Sequence, residues 1–382
     1  MKFEDLEAQG GNICIYPYSE EVESVLRHAG LLTSEWKVAS LISPRSWGFA
    51  GQKVQCGGET LIVLSSFDDL PDNTDYILIP EFFGNLMDSS VVKRILSRVS
   101  PALGKVRGVM LSAVLDEENY EMLKSSCHGI CEFIDLNLTS AEIDQNYKFM
   151  EREGLLEIDV PVVGIMGMWD YTDKFEVSLA LREKFIDNGY KVSQIGSRNY
   201  CELLDFHSFP RFMLDPTMGE VEKIFMLNRY LKRLVDEESP DIIFITIPGG
   251  TQQLNNQFPN RFGVLPFLVS KAVTFDALIL CTLYEPQAGE LFEMISTSFK
   301  YKYGCEVDAF HMSNTIFDAA SVNEREVLRL SHIFRSDVSK IAHENYVGLA
   351  SPMMDVYSAG DAEKLFNVLV DKLTKNIADA IL

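Results

Sequence analysis

The sequence predicts an α/β protein with two parallel sheets, one in each of two successive domains. Short apolar segments alternate with amphipathic ones along most of the chain, a pattern typical of buried strands covered by helices. The length of 382 residues exceeds what one ordinary hydrophobic core requires. Near the middle of the chain, an apolar segment from Val162, a loop and a helical segment follow the outline of a phosphate-binding loop. Together these observations predict a Rossmann-like N-terminal domain followed by a P-loop-like domain.

The Rossmann-like domain is predicted to span residues 1–136. Its first apolar segment, residues 12–16, is followed by an acidic helix start at Ser19 and an amphipathic stretch to about Leu32. No G-x-G-x-x-G follows this segment, so a dinucleotide site of the usual type is not supported. The later elements of this domain are predicted strands at 38–42, 61–64, 76–79, 108–111 and 130–134 and helices at 89–99 and 117–125.

A polar and acidic segment, residues 137–160, is predicted to connect the two domains. The P-loop-like α/β domain then spans residues 161–320. Residues 321–382 are predicted to form a C-terminal helical extension that ends in a long amphipathic helix from about Asp361. The elements predicted within the second domain are strands at 162–166, 191–195, 242–247, 277–283 and 307–312 and helices at 174–188 and 220–237.

The loop from Gly167 to Lys174 carries the main functional signal. In the pattern G-x-x-x-x-G-K-[ST], glycines let backbone amides surround a phosphate, the lysine reaches it, and the hydroxyl holds magnesium. Here Asp173 replaces the second glycine and Phe175 replaces the hydroxyl residue. The amides of a helix N-terminus still favour an anion. We therefore expect Gly167, Asp173 and Lys174 to form a binding site for a small anion.

A second residue expected to hold magnesium is also replaced. In P-loop proteins a buried strand at this distance ends in an aspartate that holds magnesium, whereas this chain has Thr246 there. With Phe175 and Thr246 in these positions we expect no metal site. Turnover of ATP or GTP should be far below the ~1–100 s⁻¹ common for phosphoryl-transfer enzymes. Gly249 and Gly250, just beyond, either contact a ligand or form a tight turn that closes the strand.

Polar residues follow other predicted strands of the second domain, and the carboxyl ends of parallel strands meet at one crevice. Arg198 is suited to bidentate contact with a carboxylate or phosphate, and Asn199 lies beside it. Asn314 is suited to contact with a base or an amide. His207 and His311 are the candidate catalytic acids or bases. A single histidine is nevertheless more often a structural residue than a catalytic one.

A loop of the first domain, residues 43–51, is a further candidate for ligand contact. It places Arg45, two aromatic side chains and glycines at the carboxyl end of a predicted strand, where α/β proteins bind ligands. The alternative is a packed surface loop in which Trp47 is buried against the sheet. The sequence leaves both interpretations open.

The composition restricts the partners. The formal net charge of −22 disfavours binding to nucleic acid and to anionic membranes. The N-terminus lacks an apolar signal segment, and no apolar run approaches the ~20 residues needed to span a bilayer. Seven scattered cysteines do not form a disulfide framework. We expect a cytoplasmic protein whose ligand is a small-molecule anion.

A further signal lies in residues 167–175, 179–185 and 189–196, together with residues 15–18, 43–45, 207–210 and 247–250. In these segments the chain resembles a family called peptide maturation system proteins, which are associated with gene clusters that modify ribosomally made precursor peptides. The resemblance implies a role in peptide natural-product maturation, with a precursor peptide or a modifying enzyme as partner.

An α/β domain is followed by a P-loop-like domain in which Gly167 stands seven residues before Lys174. In this arrangement the chain more distantly resembles two-domain P-loop proteins whose studied relatives include a D-glutamate N-acetyltransferase. Those relatives keep Gly-Lys where this chain has Asp173 and Lys174. The resemblance implies acyl transfer, with the loop holding the phosphates of coenzyme A or phosphopantetheine, or a nucleotide in their place. In that reaction Lys174 would hold the anion, Arg198 would orient it, and His207 or His311 would move a proton. The alternative is a non-catalytic scaffold that recognises the precursor peptide or a partner enzyme.

Overall fold

The computed structural model describes residues 10–82, 88–139, 154–256, 259–284, 288–318, 330–358 and 360–381. It confirms the predicted fold class, because two sheets of mainly parallel strands are each accompanied by helices. The chain divides into two compact units. The first unit contains the described residues within 1–142 together with 198–211, and the second contains those within 143–197 and 212–382. Most of the predicted connecting segment, residues 140–153, lies outside the described part of the chain.

The sheet of the first unit has the strand order β3-β4-β2-β1-β5-β6-β7. All neighbouring strands are parallel except β3 and β4, which are antiparallel. Every residue of β5 and β6 is buried, as expected for apolar strands inside a sheet covered on both faces. The strands are β1 (Gly11–Ile15), β2 (Trp36–Ile42), β3 (Lys53–Cys56), β4 (Glu59–Leu64), β5 (Tyr76–Ile79), β6 (Gly108–Leu111) and β7 (Glu132–Asp135).

Two helices of the first unit begin at acidic caps. Asp88 accepts a hydrogen bond from the Ser90 amide, and Asp116 accepts one from the Asn119 amide, so each satisfies a free N–H of a first turn. The helix predicted after β1 is shorter than expected, because 3-10 turns lie on both sides of one short α-helix. The helices are α1 (Glu23–Arg27), α2 (Ser89–Ser97), α3 (Glu117–Cys127) and α4 (Leu136–Thr139).

Residues 198–211 group with the first unit, although the predicted domain limits place them in the second domain. They contain a 3-10 turn, Cys201–Leu204, and the two-residue strand β10, His207–Ser208. The carbonyl of Leu203 accepts a hydrogen bond from the Thr33 amide at 3.1 Å. This contact joins positions far apart in sequence, so local patterns could not reveal it.

The second unit is built on parallel strands in the order β9-β11-β8-β12-β13-β16. All six residues of β8 are buried, so the strand that leads into the predicted anion loop lies inside the sheet. The strands are β8 (Val162–Gly167), β9 (Val192–Gly196), β11 (Ile242–Thr246), β12 (Ala277–Thr282), β13 (Ala309–Met312) and β16 (Met353–Met354), with the antiparallel pair β14 (Thr315–Phe317) and β15 (Leu330–His332).

Aromatic contacts fix helices on the sheet of the second unit. Phe185 lies with its ring centroid 5.2 Å from that of Phe244 and 4.8 Å from that of Phe366, so it joins two helices to one strand. Phe292 contacts Phe310 in β13 at 5.0 Å. The helices are α5 (Lys174–Asp187), α6 (Glu220–Glu238), α7 (Val264–Ala272), α8 (Gly289–Tyr303), α9 (Arg335–Asn345) and α10 (Asp361–Ile381).

The described part of the predicted helical extension, from residue 330 onward, is more than helical. It contains α9 and α10 but also β15 and β16, and β16 pairs with β13 at Phe310 and His311. Buried residues of α10, among them Phe366, belong to the same hydrophobic core as α5. Within the described residues, no helix combines the length and apolar composition needed to cross a bilayer.

Candidate functional site

The turn between β8 and α5 folds back closely on its first residue. A Cβ atom at Gly167 would lie 2.4 Å from Thr172 Oγ1 and 2.5 Å from the Trp169 carbonyl oxygen, so only glycine fits there. Asp173 has a φ of 59°, the left-handed conformation that glycine favours and aspartate tolerates. Asp173, which stands where the P-loop pattern has glycine, therefore keeps the backbone conformation that glycine would adopt and adds a carboxylate.

Lys174 is the first residue of α5, and its side chain is only 7% exposed. Its ammonium donates a short hydrogen bond to the Gly249 carbonyl and a second, of 3.4 Å, to the Trp169 carbonyl. Asp170 Oδ1 lies 3.8 Å from Lys174 Nζ, and the Asp170 side chain is half exposed. A cation is therefore held at a helix N-terminus, where the helix dipole also places positive partial charge.

The carboxylate of Asp173 is directed to groups from the C-terminal part of the chain. Its Oδ2 accepts a hydrogen bond of 3.0 Å from Arg335, whose guanidinium lies 3.4 Å from the ring centroid of Tyr357. Burial alone would raise the pKa of Asp173, but the interaction with His311 and the charge of Arg335 outweigh it and lower that pKa. Asp173 is therefore the negative partner of an internal ion pair.

His311 is completely buried at the end of β13. Its Nδ1 accepts a hydrogen bond from the Val356 amide at 3.4 Å, so the neutral ring carries its proton on Nε2. That Nε2 lies 3.6 Å from Asp173 Oδ2, slightly beyond hydrogen-bond length. This geometry suits a residue that positions Asp173, and the predicted catalytic role of His311 stays a prediction.

The two residues that replace the expected magnesium ligands, Phe175 and Thr246, are both buried. Phe175 is 4% exposed and belongs to the buried face of α5. Thr246 is fully buried at the end of β11, and its hydroxyl has no hydrogen-bond partner among the described residues. No group of three or more His, Cys, Asp or Glu side chains is arranged to hold a metal ion within the described ranges.

The glycine turn after β11 is hydrogen-bonded to the loop from Gly167 to Lys174. Gly249 has a φ of 80°, and its carbonyl oxygen is the one that accepts from Lys174. Gly250 is buried, and the amide of the next residue, Thr251, donates to the Gly167 carbonyl at 2.9 Å. Gly249 and Gly250 therefore form a turn whose hydrogen bonds connect the end of β11 to the end of β8. Their contact with a ligand stays a prediction. Asn314, by contrast, donates to the Ile333 carbonyl at 3.2 Å.

In the first unit, Arg198 and Asn199 bind residues that follow the strands of its sheet. Arg198 Nη2 donates to Glu21 Oε2 at 2.6 Å. The Asn199 amide donates to Glu81 Oε1 at 2.7 Å. The Asn199 side chain donates to the Asn137 side chain at 2.9 Å. Burial lowers the pKa of Arg198 but the charge of Glu21 outweighs it, so the net pKa is raised. The two predicted ligand-binding residues are thus engaged by the protein itself.

Arg45 and His207 also belong to the first unit. Arg45 is exposed in a 3-10 turn, Arg45–Trp47, whereas Trp47 packs partly buried against the core of that unit. His207 is half-buried in β10, close to Glu202. Burial raises the pKa of Glu202, and hydrogen bonds from Ser208 and the charge of His207 oppose that rise.

Several residues of these sites were not predicted. Arg335 reaches Asp173 across 162 positions of sequence, and no local motif signals such a pair. Glu21, Glu81 and Asn137 follow strands of the first sheet, so their positions offered a signal, but their partners come from residues 198–211. The positions of these residues after strands could have indicated a polar cluster, but they could not have indicated its hydrogen-bond partners.

No protein-family model matches this sequence, and no curated protein matches it. Among solved structures, the chain is similar to a DUF1611 family protein from Anabaena variabilis, with a TM-score of 0.59 and 11% identity over 96% of this chain and 100% of that chain. A partial likeness to a GTPase in apo form from Pyrococcus abyssi has a TM-score of 0.30 and 12% identity, over 56% of this chain and 97% of that chain. The first likeness shows that this two-domain α/β fold occurs in a known protein.

Proposed function

We propose that the second unit binds a small phosphorylated or carboxylated ligand at the loop from Gly167 to Lys174. The observation that carries this proposal is the nearly buried ammonium of Lys174 at the first position of α5. A cation and a helix N-terminus create positive potential in the same place, and an anion interacts favourably with both. Gly167 fixes the turn that presents these groups, because only glycine fits against Thr172 and the Trp169 carbonyl.

The carboxylates near this loop do not prevent anion binding. Asp173 is ion-paired with Arg335 at 3.0 Å, so its charge is largely compensated. Asp170 is half exposed, and solvent and salt screen its repulsion of an anion. The local charge can therefore be favourable although the whole chain carries a formal net charge of −22.

For the wider role, we propose group transfer, with acyl transfer as the leading possibility, in the cytoplasmic maturation of a peptide natural product. The anionic group would belong to a nucleotide, coenzyme A or phosphopantetheine, held by Lys174 and the first amides of α5. The acceptor would be a precursor peptide, or the protein would act together with a modifying enzyme. The family resemblances of the sequence motivate this role, and the loop geometry supports only its anion-binding part.

A second candidate is a non-catalytic scaffold that recognises the precursor peptide or a partner enzyme. Two observations favour it. Lys174 is hydrogen-bonded to the carbonyls of Gly249 and Trp169, which closes the loop on itself. Phe175 and Thr246 are buried where a nucleotide-hydrolysing site would place groups for magnesium. A protein that only recognises a partner would need neither an accessible ammonium nor a metal.

Thermal unfolding in the presence of candidate anions tests the proposal. Inorganic phosphate, coenzyme A and magnesium-free ATP should each be compared with buffer at equal ionic strength, because a ligand of the folded state raises its stability. We expect at least one anion to raise the unfolding midpoint of the wild type and of Lys223→Ala but not of Lys174→Ala. Lys223 is the matched control, since it is also 7% exposed and lies 3.7 Å from a carboxylate near a helix start. If no anion raises the midpoint, or Lys174→Ala responds like the wild type, the anion site is refuted and the scaffold is favoured.

A further inference from the structure

A cavity of about 270 Å³ lies beside the candidate anion loop in the second unit. It is smaller than the ~300–1,000 Å³ of typical drug-sized ligand pockets, so it suits a small group. It lies beyond the carboxyl ends of β8 and β12, the place where α/β sheets bind ligands. Its apolar walls come from these strand ends and from α8: Met168, Trp169, Leu283, Leu291, Phe292 and Ile295.

One residue connects this cavity to the ammonium of Lys174. The backbone carbonyl of Trp169 accepts a hydrogen bond from Lys174 Nζ at 3.4 Å, while Trp169 also lines the cavity. Met168, the residue before it, lines the cavity as well and is fixed by a hydrogen bond of 2.9 Å from its amide to the Cys281 carbonyl. The cationic loop therefore shares the segment Met168–Trp169 with the walls of the cavity.

The polar side chains of the lining are those of Gln252 and Thr282. The indole Nε1 of Trp169 is buried and has no hydrogen-bond partner among the described residues, so this donor does not face the accessible space of the cavity. The hydroxyl of Thr282, another lining residue, already donates to the His311 carbonyl at 3.3 Å.

We infer that this cavity holds the apolar body of the ligand whose anionic group binds the loop. The ligand class is an amphiphilic anion: a phosphate or carboxylate joined to a small aliphatic or aromatic body. This inference rests on the proposed function for the anionic part of the ligand. The cavity adds a preference for apolar groups of limited size, which the loop alone would not provide.

A series of alkyl phosphates tests this inference, with methyl, butyl and octyl phosphate as the probes. Binding is followed by NMR at the indole N–H signal of Trp169, identified by its loss in Trp169→Phe. We expect affinity to rise by roughly fourfold for each added methylene until the cavity is filled. Ile295→Phe should abolish that rise, because it fills the cavity from α8. Met294→Phe is the matched control, since Met294 lies on the same helix, is 68% exposed and does not line the cavity.

The outcomes separate this inference from the proposed function. If Lys174→Ala weakens every probe and Ile295→Phe removes only the gain with chain length, both are supported. Lys174-dependent binding without any gain from methyl to octyl phosphate overturns the cavity and leaves the anion site. A gain with chain length that Lys174→Ala does not weaken overturns the anion site and leaves an apolar pocket. Absence of binding by all three probes overturns both.

Discussion

Two cations that follow strands, Arg198 after β9 and Lys174 after β8, have opposite roles. Arg198 groups with the first unit, where the segment 198–211 covers residues that follow the strands, and it forms a direct ion pair of 2.6 Å with Glu21. In the second unit, Lys174 is bound to backbone carbonyls beside a cavity of about 270 Å³. A cation after a strand is thus a structural partner in one unit and a candidate ligand contact in the other.

This contrast shows what distinguishes a structural polar cluster from a candidate site. Arg198 and Asn199 have residue types and strand-end positions that suit an anion site, yet their hydrogen bonds hold Glu21, Glu81 and Asn137. Glu21 accepts a direct hydrogen bond from Arg198, whereas the direct hydrogen bonds of Lys174 are to carbonyls and its nearest carboxylate, Asp170, is half exposed at 3.8 Å. We therefore propose the second unit for the anion site.

The largest expected effect is a loss of stability when the ion pair between Arg198 and Glu21 in the first unit is removed. Arg198→Met should lower the free energy of unfolding by about 2–3 kcal/mol, because it leaves the partly buried carboxylate of Glu21 without its charged hydrogen-bond partner. Denaturant unfolding of each variant measures this. Arg211→Met is the matched control, since Arg211 comes from the same segment and contacts the neutral side chain of Asn137 at 3.2 Å. Equal destabilisation by the two variants would contradict a dominant role for the ion pair.

A smaller effect is expected when the turn of the second unit is forced open. Gly167→Ala places a methyl group about 2.4 Å from Thr172 Oγ1, so the loop must shift. We expect a loss of about 1–3 kcal/mol, as for overpacking elsewhere, together with weaker phosphate binding. The control is Gly104→Ala, because a methyl group at Gly104 meets nothing within 4 Å. Unchanged phosphate affinity in Gly167→Ala would separate the loop from the anion site.

The dependence of stability on pH should differ between the units. Burial raises the pKa of Glu81 and of Glu202 in the first unit. The folded state then binds protons more readily than the unfolded one, so the first unit should gain stability as pH falls from neutral toward about 4.3, the ordinary glutamate pKa. The gain is limited to about 1.4 kcal/mol per pH unit for each proton.

For Asp173 and Asp361 of the second unit the sign is reversed, whereas burial raises the pKa values of Asp276 and Asp308 in the same unit. Burial would raise the pKa values of Asp173 and Asp361, but their hydrogen bonds and neighbouring cations outweigh it and lower both. The stability they contribute is complete above the ordinary aspartate pKa of about 3.9 and is lost as pH falls through the lowered values. Calorimetric midpoints between pH 7 and pH 3 measure both trends, and Glu81→Gln should flatten the first. A steady loss in the first unit between pH 7 and pH 5 would contradict these assignments.

The smallest expected effect is that of magnesium on the rate of nucleotide hydrolysis by the protein. With Phe175 and Thr246 buried, magnesium should give no marked rise in phosphate release from ATP or GTP. A coupled assay with and without magnesium measures this. Robust magnesium-dependent turnover that Lys174→Ala abolishes would show that other acidic residues replace the expected ligands.

The sequence predicts the parts of the fold that depend on local periodicity. Strands β5 and β6 and the start of α10 occur at the predicted residues, because continuous apolar runs and amphipathic turns are local signals. The helix α8 was not predicted, and neither was the cavity that it lines. The two-residue strand β16 is too short to show a period and exists through its pairing with β13.

The candidate site divides in the same way. The positions of Gly167 and Lys174 in the strand, loop and helix follow from spacing, and the structure places them there. The ion pair of Asp173 with Arg335 depends on how α9 packs, so spacing could not predict it. Arg198 was predicted from its position after a strand, yet its partner, Glu21, is 177 positions away. Long-range packing decides which polar strand ends remain available.

The affinity for pyrophosphate, measured by calorimetry at low and high salt, is the most direct test of an anion site at Lys174. We expect the wild type to bind pyrophosphate with an affinity that falls as salt rises. Lys174→Ala should weaken this binding by about 10–100-fold, the loss expected for one charge-assisted hydrogen bond. Arg198→Met should leave the affinity unchanged. Binding that is equally tight in Lys174→Ala, or that is lost in Arg198→Met while the second unit stays folded, would contradict the assignment of the anion site to the second unit.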